Sequence, residues 1–235
     1  TVLAGVDLVV APGALVAVAG RSGSGKSLLA ALAGRLVDPD EGEVLLDGVP
    51  LPALSRRELR REIGYGFERP TLLGETLGDA IACGTDAPPR EEIVAAAVAA
   101  RADDFIRRMP AGYDTHVADA PMSGGEIQRI GLARTFAHAR RVIVLDDVAA
   151  SLDTVTEHHI GAVLTGALAD RTRIVVAQRA TTAARADAVI WLEDGGVRAY
   201  APPEQLWDDA DFRALFEARD EPAAAAAATA NGGPP

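Results

Sequence analysis

The stretch GRSGSGKS, Gly20 to Ser27, decides the fold of this chain. An apolar run at Leu15 to Ala19 comes directly before it, and a helical pattern from Leu28 to Leu36 follows it. The stretch has the spacing G-x-x-x-x-G-K-S between a strand and a helix, where closely spaced glycines let consecutive backbone amides converge on one anion. The N-terminal end of the following helix adds positive potential at the same place.

Lys26 is the single lysine among 23 basic residues, since the other 22 are arginine. In this motif the lysine reaches the β- and γ-phosphates, and the hydroxyl after it ligates Mg²⁺. An ordinary glycine-rich turn is the alternative, but it gives no reason for a unique lysine here. We therefore expect a nucleoside triphosphate site. The residues expected to contact the triphosphate are Gly20, Ser22, Gly23, Ser24, Gly25, Lys26, Ser27 and Leu28.

A second stretch, VIVLDDVAASLD from Val142 to Asp153, runs from four apolar residues into two adjacent acids. In P-loop proteins, an Asp at the end of an apolar strand neighbours the phosphate loop and holds Mg²⁺, directly or through water. Asp146 fits this role beside Ser27, although a strand-terminating turn residue is the alternative. A second acid at Asp147 indicates a site rather than a simple strand end.

The composition argues against a nucleic-acid-binding surface, an internal disulfide, a membrane-spanning segment and a histidine metal site. The 235 residues carry a formal net charge of −11, which disfavours a nucleic-acid surface. Cys83 is the only cysteine, so an internal disulfide is impossible. No run of 18 or more apolar residues is present, and the four histidines show no ligand spacing. Because the chain lacks an initiator Met, we expect it to be a fragment of a longer polypeptide.

The apolar patterns predict alternating strands and helices. We predict buried parallel strands at Val142 to Leu145 and Ile174 to Ala177, because each is a continuous apolar run. Further strands are predicted at Val2–Val10, Leu15–Ala19, Glu43–Asp47, Ala188–Leu192 and Val197–Tyr200, and helices at Leu28–Leu36, Ser55–Arg61, Arg90–Arg108 and Glu126–Ala139. The low-complexity residues 220–235 are predicted to be a disordered tail.

The motif MSGGEIQR, Met122 to Arg129, narrows the family. By itself the run Ser123, Gly124, Gly125, Glu126 predicts a capping box, with a helix N-terminus able to receive an anion. Between the phosphate loop and the acidic strand, it resembles the signature motif of ATP-binding cassette (ABC) proteins. Three further stretches resemble the exporter branch: LLGETLGDAIACG from Leu72, MPAGYDTHV from Met109 and IVVAQRATTAARADAVIWLEDG from Ile174.

This resemblance implies an α/β P-loop ATPase core, residues 1–68 and 138–219, with an antiparallel β subdomain and an inserted α-helical subdomain at residues 69–137. It also implies that two cassettes close head to tail around two ATP molecules. Ser123, Gly124, Gly125 and Glu126 would then serve the partner's ATP, and Ser151, Leu152 and Asp153 would form the loop between the sites. The implied partners are a second cassette and the transmembrane domain of an exporter, at the cytoplasmic face of the plasma membrane.

Three departures from the family pattern concern catalysis. Asp147 stands where hydrolytic members carry Glu, Gln178 where they carry a γ-phosphate-contacting His, and Glu68 where they carry a Gln that contacts Mg²⁺. A carboxylate at Glu68 can still ligate Mg²⁺, together with Ser27 and Asp146. Asp147 and Gln178 together resemble the slow half of a heterodimeric exporter. A homodimeric exporter cassette, an ATP-gated structural clamp and a P-loop kinase are the alternatives.

Overall fold

The computed structural model describes residues 2–84, 86–149 and 151–217. The tail predicted for residues 220–235 lies outside them. The strands of the described chain are β1 (Leu15–Gly20), β2 (Leu45–Leu46), β3 (Val49–Pro50), β4 (Ile63–Gly66), β5 (Val142–Leu145), β6 (Thr172–Val176), β7 (Ala188–Glu193) and β8 (Gly196–Ala201). The helices are α1 (Lys26–Ala33), α2 (Arg56–Glu62), α3 (Leu77–Ala82), α4 (Arg90–Ala99), α5 (Asp103–Arg108), α6 (Gly124–His138), α7 (Thr154–Thr165), α8 (Ala180–Ala183), α9 (Pro203–Leu206) and α10 (Ala210–Glu217).

Six strands form one mixed sheet in the spatial order β4-β5-β6-β1-β7-β8. The first five in that order pair in parallel, and β8 pairs antiparallel with β7. Every residue of β1 and β5 is buried, which confirms the predicted buried parallel strand at Val142 to Leu145. The α/β P-loop fold class is confirmed. The short antiparallel ribbon of β2 and β3 turns at Asp47–Gly48, where both residues have positive φ.

The two faces of the sheet pack into two apolar clusters. On one face Val16, Val18 and Val144 pack with Ala30 of α1 and Leu59 of α2. On the other face Ala17 and Leu145 pack with apolar residues of α3, α6 and α7, among them Leu77, Ile130 and Ile160. Because β1 and β5 are covered on both faces, their carboxyl ends are held firmly where the phosphate loop and the two acids follow.

Two sequence predictions were wrong. Val2–Val10 is not a strand: Gly5 has a φ of 61°, and Ala4 donates from its backbone nitrogen to Gly195 O at 2.8 Å instead. The helix predicted over Arg90–Arg108 is two helices, α4 and α5. Arg101 takes a φ of 56°, and the Ala102 nitrogen donates to Ala97 O at 2.7 Å, which is a Schellman-type helix end.

Candidate nucleotide-binding site

The loop between β1 and α1 is shaped by glycines. At Gly20 an added Cβ would lie 2.4 Å from Leu192 O, so no larger residue fits where the loop leaves the sheet. Gly25 has a φ of 98° and precedes α1 without a side-chain cap. The first-turn amides of α1 therefore keep their capacity for an external acceptor, the arrangement that binds phosphate.

Polar side chains of this loop point inward. Lys26 Nζ donates to Gly20 O at 2.9 Å and to Arg21 O at 2.8 Å, so the ammonium group lies over the loop. Ser24 is buried, and within the described residues its Oγ has no hydrogen-bond partner. A buried polar atom without a partner is costly unless a ligand or water satisfies it. Ser22 is exposed and Leu28 is half-buried in α1.

Asp146 connects the loop to the end of β5. Its backbone nitrogen donates to Gly66 O at 2.9 Å, which continues the parallel pairing of β4 and β5. Its Oδ1 accepts from Ser27 Oγ at 2.9 Å, and its Oδ2 accepts from the Tyr65 hydroxyl at 3.1 Å. Burial, and then the neighbouring Asp146 charge, raise the pKa of Tyr65 above its usual value, so the hydroxyl stays protonated as the donor.

The Ser27–Asp146 pair fits Mg²⁺ as the fold family implies it. Mg²⁺ prefers hard oxygens and is held by one or two carboxylates together with substrate phosphates. Within the described chain no three His, Cys, Asp or Glu side chains form a metal cluster. Glu68 is half exposed, lies 3.8 Å from Arg69 Nε, and among the described residues has no hydrogen bond to Ser27 or Asp146.

Asp147 and Gln178 meet directly beside this pair. Gln178 Nε2 donates to Asp147 Oδ2, which joins the end of β6 to the end of β5. Asp147 has a φ of 54°, a left-handed conformation that non-glycine residues adopt mainly at turns and functional sites. The second carboxylate is therefore fixed by its backbone conformation and by an amide donor.

The signature stretch begins α6 with a capping box, as predicted. The Glu126 carboxylate accepts from Ser123 N and Ser123 Oγ, both at 2.8 Å, and Glu126 N donates to Ser123 Oγ at 3.3 Å. Ser123 and Gly124 are exposed, and an added Cβ at Gly124 would meet nothing within 4 Å. This helix N-terminus is therefore open to a second molecule.

The loop Ser151, Leu152, Asp153 lies against the signature stretch. An added Cβ at Gly125 would lie 3.2 Å from Ser151 O, so the two backbones approach closely. Leu152 is buried, and Asp153 caps α7 by accepting from Thr156 N at 2.8 Å. This hydrogen bond is the main cause of the lowered pKa of Asp153.

Two residues of this region escaped the sequence analysis. Tyr65 is one: it lies beside Val144 in the register of β4 and β5, and no local sequence pattern points to its contact with Asp146. Gln128 is the other: it is buried in α6, and its Nε2 donates to Phe67 O at 2.8 Å. Gln128 thus ties the signature helix to the segment that carries Glu68. The only sign in the sequence was an amide side chain within the motif MSGGEIQR, and its burial follows from the packing of α6.

Comparisons with known proteins agree with this geometry. A family model described as "ABC transporter" matches residues 3–150. An ABC transporter ATP-binding protein RamA from Streptomyces coelicolor is 55% identical over 206 residues, which are 88% of this chain and 32% of that protein. An ATP-dependent lipid A-core flippase from Legionella pneumophila is 36% identical over 219 residues, or 92% of this chain and 37% of the flippase.

A solved structure agrees as well. The structure of a bacterial Atm1-family ABC exporter with ATP bound matches with a TM-score of 0.83 and 36% identity, over 91% of this chain and 38% of the exporter chain. The chain thus spans between three and four tenths of the length of these relatives. Among the described helices, none is long and apolar enough to cross a bilayer.

Proposed function

The chain belongs to the ABC transporter family, and on that premise we propose that it is the nucleotide-binding domain of an exporter. It binds Mg–ATP, closes head to tail with a second cassette, and drives transport by ATP binding and hydrolysis. Similarity to an exporter that has ATP bound supports this choice within the family. The domain works at the cytoplasmic face of the plasma membrane with a transmembrane domain as its partner.

The observation that carries the proposal is the convergence of the glycine loop, Lys26 and the Ser27–Asp146 pair at one edge of the sheet. The loop amides and Lys26 bind the β- and γ-phosphates. Ser27 and Asp146 would hold Mg²⁺, with Glu68 as a further carboxylate from the segment that follows β4. When bound, Mg²⁺ neutralises charge on the phosphate oxygens. The protein side chains orient the triphosphate and keep it in the loop.

The helical region is proposed as the surface that serves the partner. Helices α3 and α4 pack against α6, which supports an inserted helical subdomain at residues 69–137 within a cassette of residues 1–219. Ser123, Gly124 and Gly125 at the start of α6 bind the ATP held by the partner's loop, and Ser123 and Gly124 are exposed there. Ser151, Leu152 and Asp153 lie between the two sites.

The chain's own site is proposed to hydrolyse ATP slowly. Asp147 is the candidate general base, and its side chain is one C–C bond, roughly 1.5 Å, shorter than that of Glu. A misplacement of about 1 Å can lower a rate on the order of 100-fold. The contact with Gln178 supports this proposal, because an amide holds the carboxylate and cannot carry positive charge. The second cassette is then a different chain with a fully active site.

ATP binding tests the proposal. Lys26→Ala removes the ammonium group from the loop, so we expect affinity for a fluorescent ATP analogue to fall about 100-fold or more, since several charge-assisted hydrogen bonds are lost. Arg56→Ala is the control, because it removes one exposed positive charge from the start of α2, outside the loop. Equal affinity in the Lys26→Ala variant and the unchanged chain would contradict an ATP site here.

The oligomeric state and the ATP turnover of the purified chain distinguish a different partner chain from a second copy of this chain. The purified chain alone should remain monomeric with ATP and show little turnover if the partner is a different chain. Efficient turnover that rises with the square of the protein concentration would instead indicate a homodimeric cassette with Asp147 as base.

A further inference from the structure

The Asp146 carboxylate has a second hydrogen-bond donor, Tyr65, which is not part of any of the sequence motifs. One carboxylate oxygen accepts from Ser27, and the other accepts from the Tyr65 hydroxyl at 3.1 Å. We propose that Tyr65 is a positioning residue that fixes the Asp146 carboxylate for Mg–ATP binding. This inference rests on the proposed nucleotide site.

Packing holds the Tyr65 ring in its place. An added Cβ at Gly34 would lie 2.5 Å from Tyr65 Cδ2, so the ring lies directly on the backbone at the end of α1. The Phe67 ring lies on another side, with 4.7 Å between the ring centroids. Tyr65 O accepts from Thr135 Oγ1 at 3.2 Å, which ties the backbone to α6. The hydroxyl therefore approaches Asp146 from a fixed direction.

The hydrogen bond from Tyr65 matters because it restricts the terminal side-chain torsion of Asp146. The terminal torsion of an Asp side chain has a broad distribution, so a hydrogen bond to one oxygen leaves the carboxylate plane poorly defined. Donors on both oxygens fix that plane. Tyr65 pairs with Val144 in the register of β4 and β5, two residues before Asp146, which brings its side chain to the same face of the sheet.

Tyr65 acts through Asp146 and has no direct role toward the nucleotide. Removing the hydroxyl should therefore raise the Mg²⁺ concentration needed for nucleotide binding and leave the metal-free affinity for ATP unchanged. Since a hydrogen bond to a charged group is stronger than a neutral one, we expect the half-saturating Mg²⁺ concentration to rise about 3- to 10-fold.

Tyr65→Phe tests this inference, with Tyr113→Phe as the matched control. Tyr113 is also a packed tyrosine whose hydroxyl donates to a carboxylate, Asp103 Oδ1 at 2.7 Å, but it belongs to the helical region. Binding of a fluorescent ATP analogue to the 235-residue chain is measured against Mg²⁺, and again in EDTA. Thermal unfolding without nucleotide shows whether each variant is folded.

The expected result is a shifted Mg²⁺ requirement for Tyr65→Phe alone, with equal affinities in EDTA. An unshifted requirement in folded Tyr65→Phe, or the same shift in Tyr113→Phe, would overturn the inference. Failure of the proposed function looks different, because the unchanged chain would then not bind the analogue at all. A variant that unfolds without nucleotide would assign Tyr65 to stability and would also count against the positioning role.

Discussion

The adjacent carboxylates Asp146 and Asp147 at the end of β5 are held in different ways. Asp147 is fixed in a left-handed conformation and held by Gln178, while Asp146 next to it is shared between Ser27 and Tyr65. Adjacent carboxylates thus have different partners: the first is oriented toward the phosphate loop, and the second toward the end of β6. That division is the one expected if Asp146 binds the metal and Asp147 orients the water, as proposed above.

The left-handed backbone conformation of Arg101 can be tested for strain by substitution. Its φ of 56° ends α4, and a left-handed conformation costs a non-glycine residue about 1–2 kcal/mol. Arg101→Gly removes the Cβ strain but also loosens the unfolded chain, so we expect a net gain of about 0.5–1 kcal/mol in the free energy of unfolding.

Chemical denaturation measures that change, with Arg101→Ala as the control. The Ala variant loses the charged side chain and keeps the Cβ, so it should not gain the stability of the Gly variant. A Gly variant no more stable than the Ala variant would show that the left-handed residue is not strained.

Most elements could be predicted because their signals are local. The buried run of β5 and the capping boxes at Ser55 and Ser123 follow from a few neighbouring residues, and the structure contains all three. The left-handed break at Arg101 could not be predicted, because arginine gives no local sign of it. Apolar and polar residues alternate in Val2–Val10 as they do in a strand. The same alternation can occur in a segment that pairs with no neighbouring strand, so the pattern alone does not show that a strand forms.

In the candidate site too, local motifs could be predicted from the sequence and long-range contacts could not. The loop from Gly20 to Ser27 and the acid pair are sequence motifs, so their residues could be named in advance. The bonds of Tyr65 to Asp146 and of Gln128 to Phe67 O span 81 and 61 residues. Such contacts depend on strand order and helix packing, which local patterns do not specify.

The whole molecule is proposed to perform two separate functions: it binds its own ATP, and it completes the ATP site of a partner. Gly124→Glu tests this separation. An added Cβ at Gly124 meets nothing within 4 Å, so the variant should fold normally and bind ATP in its own loop as before. With the partner cassette, the new charge would face the partner's phosphates, and turnover at the partner's site should fall about tenfold or more.

Gly124→Gln is the control for that variant, since it adds the same bulk without the charge. The difference between the partner-site turnover rates of the Glu and Gln variants measures how much of the loss is due to the added charge. If Gly124→Glu left the partner's turnover intact, the start of α6 would not be the surface that meets the partner's ATP.

The slow site itself is tested by ATP turnover at this chain's own loop, measured in the assembled pair with the partner's hydrolytic site inactivated. Asp147→Glu combined with Gln178→His lengthens the carboxylate and restores a side chain able to carry positive charge. We predict that turnover rises on the order of 10- to 100-fold, because the misplacement of about 1 Å is removed. An unchanged rate in the double variant, while Lys26→Ala still lowers the ATP affinity about 100-fold or more, would contradict a site that binds ATP but cleaves it slowly.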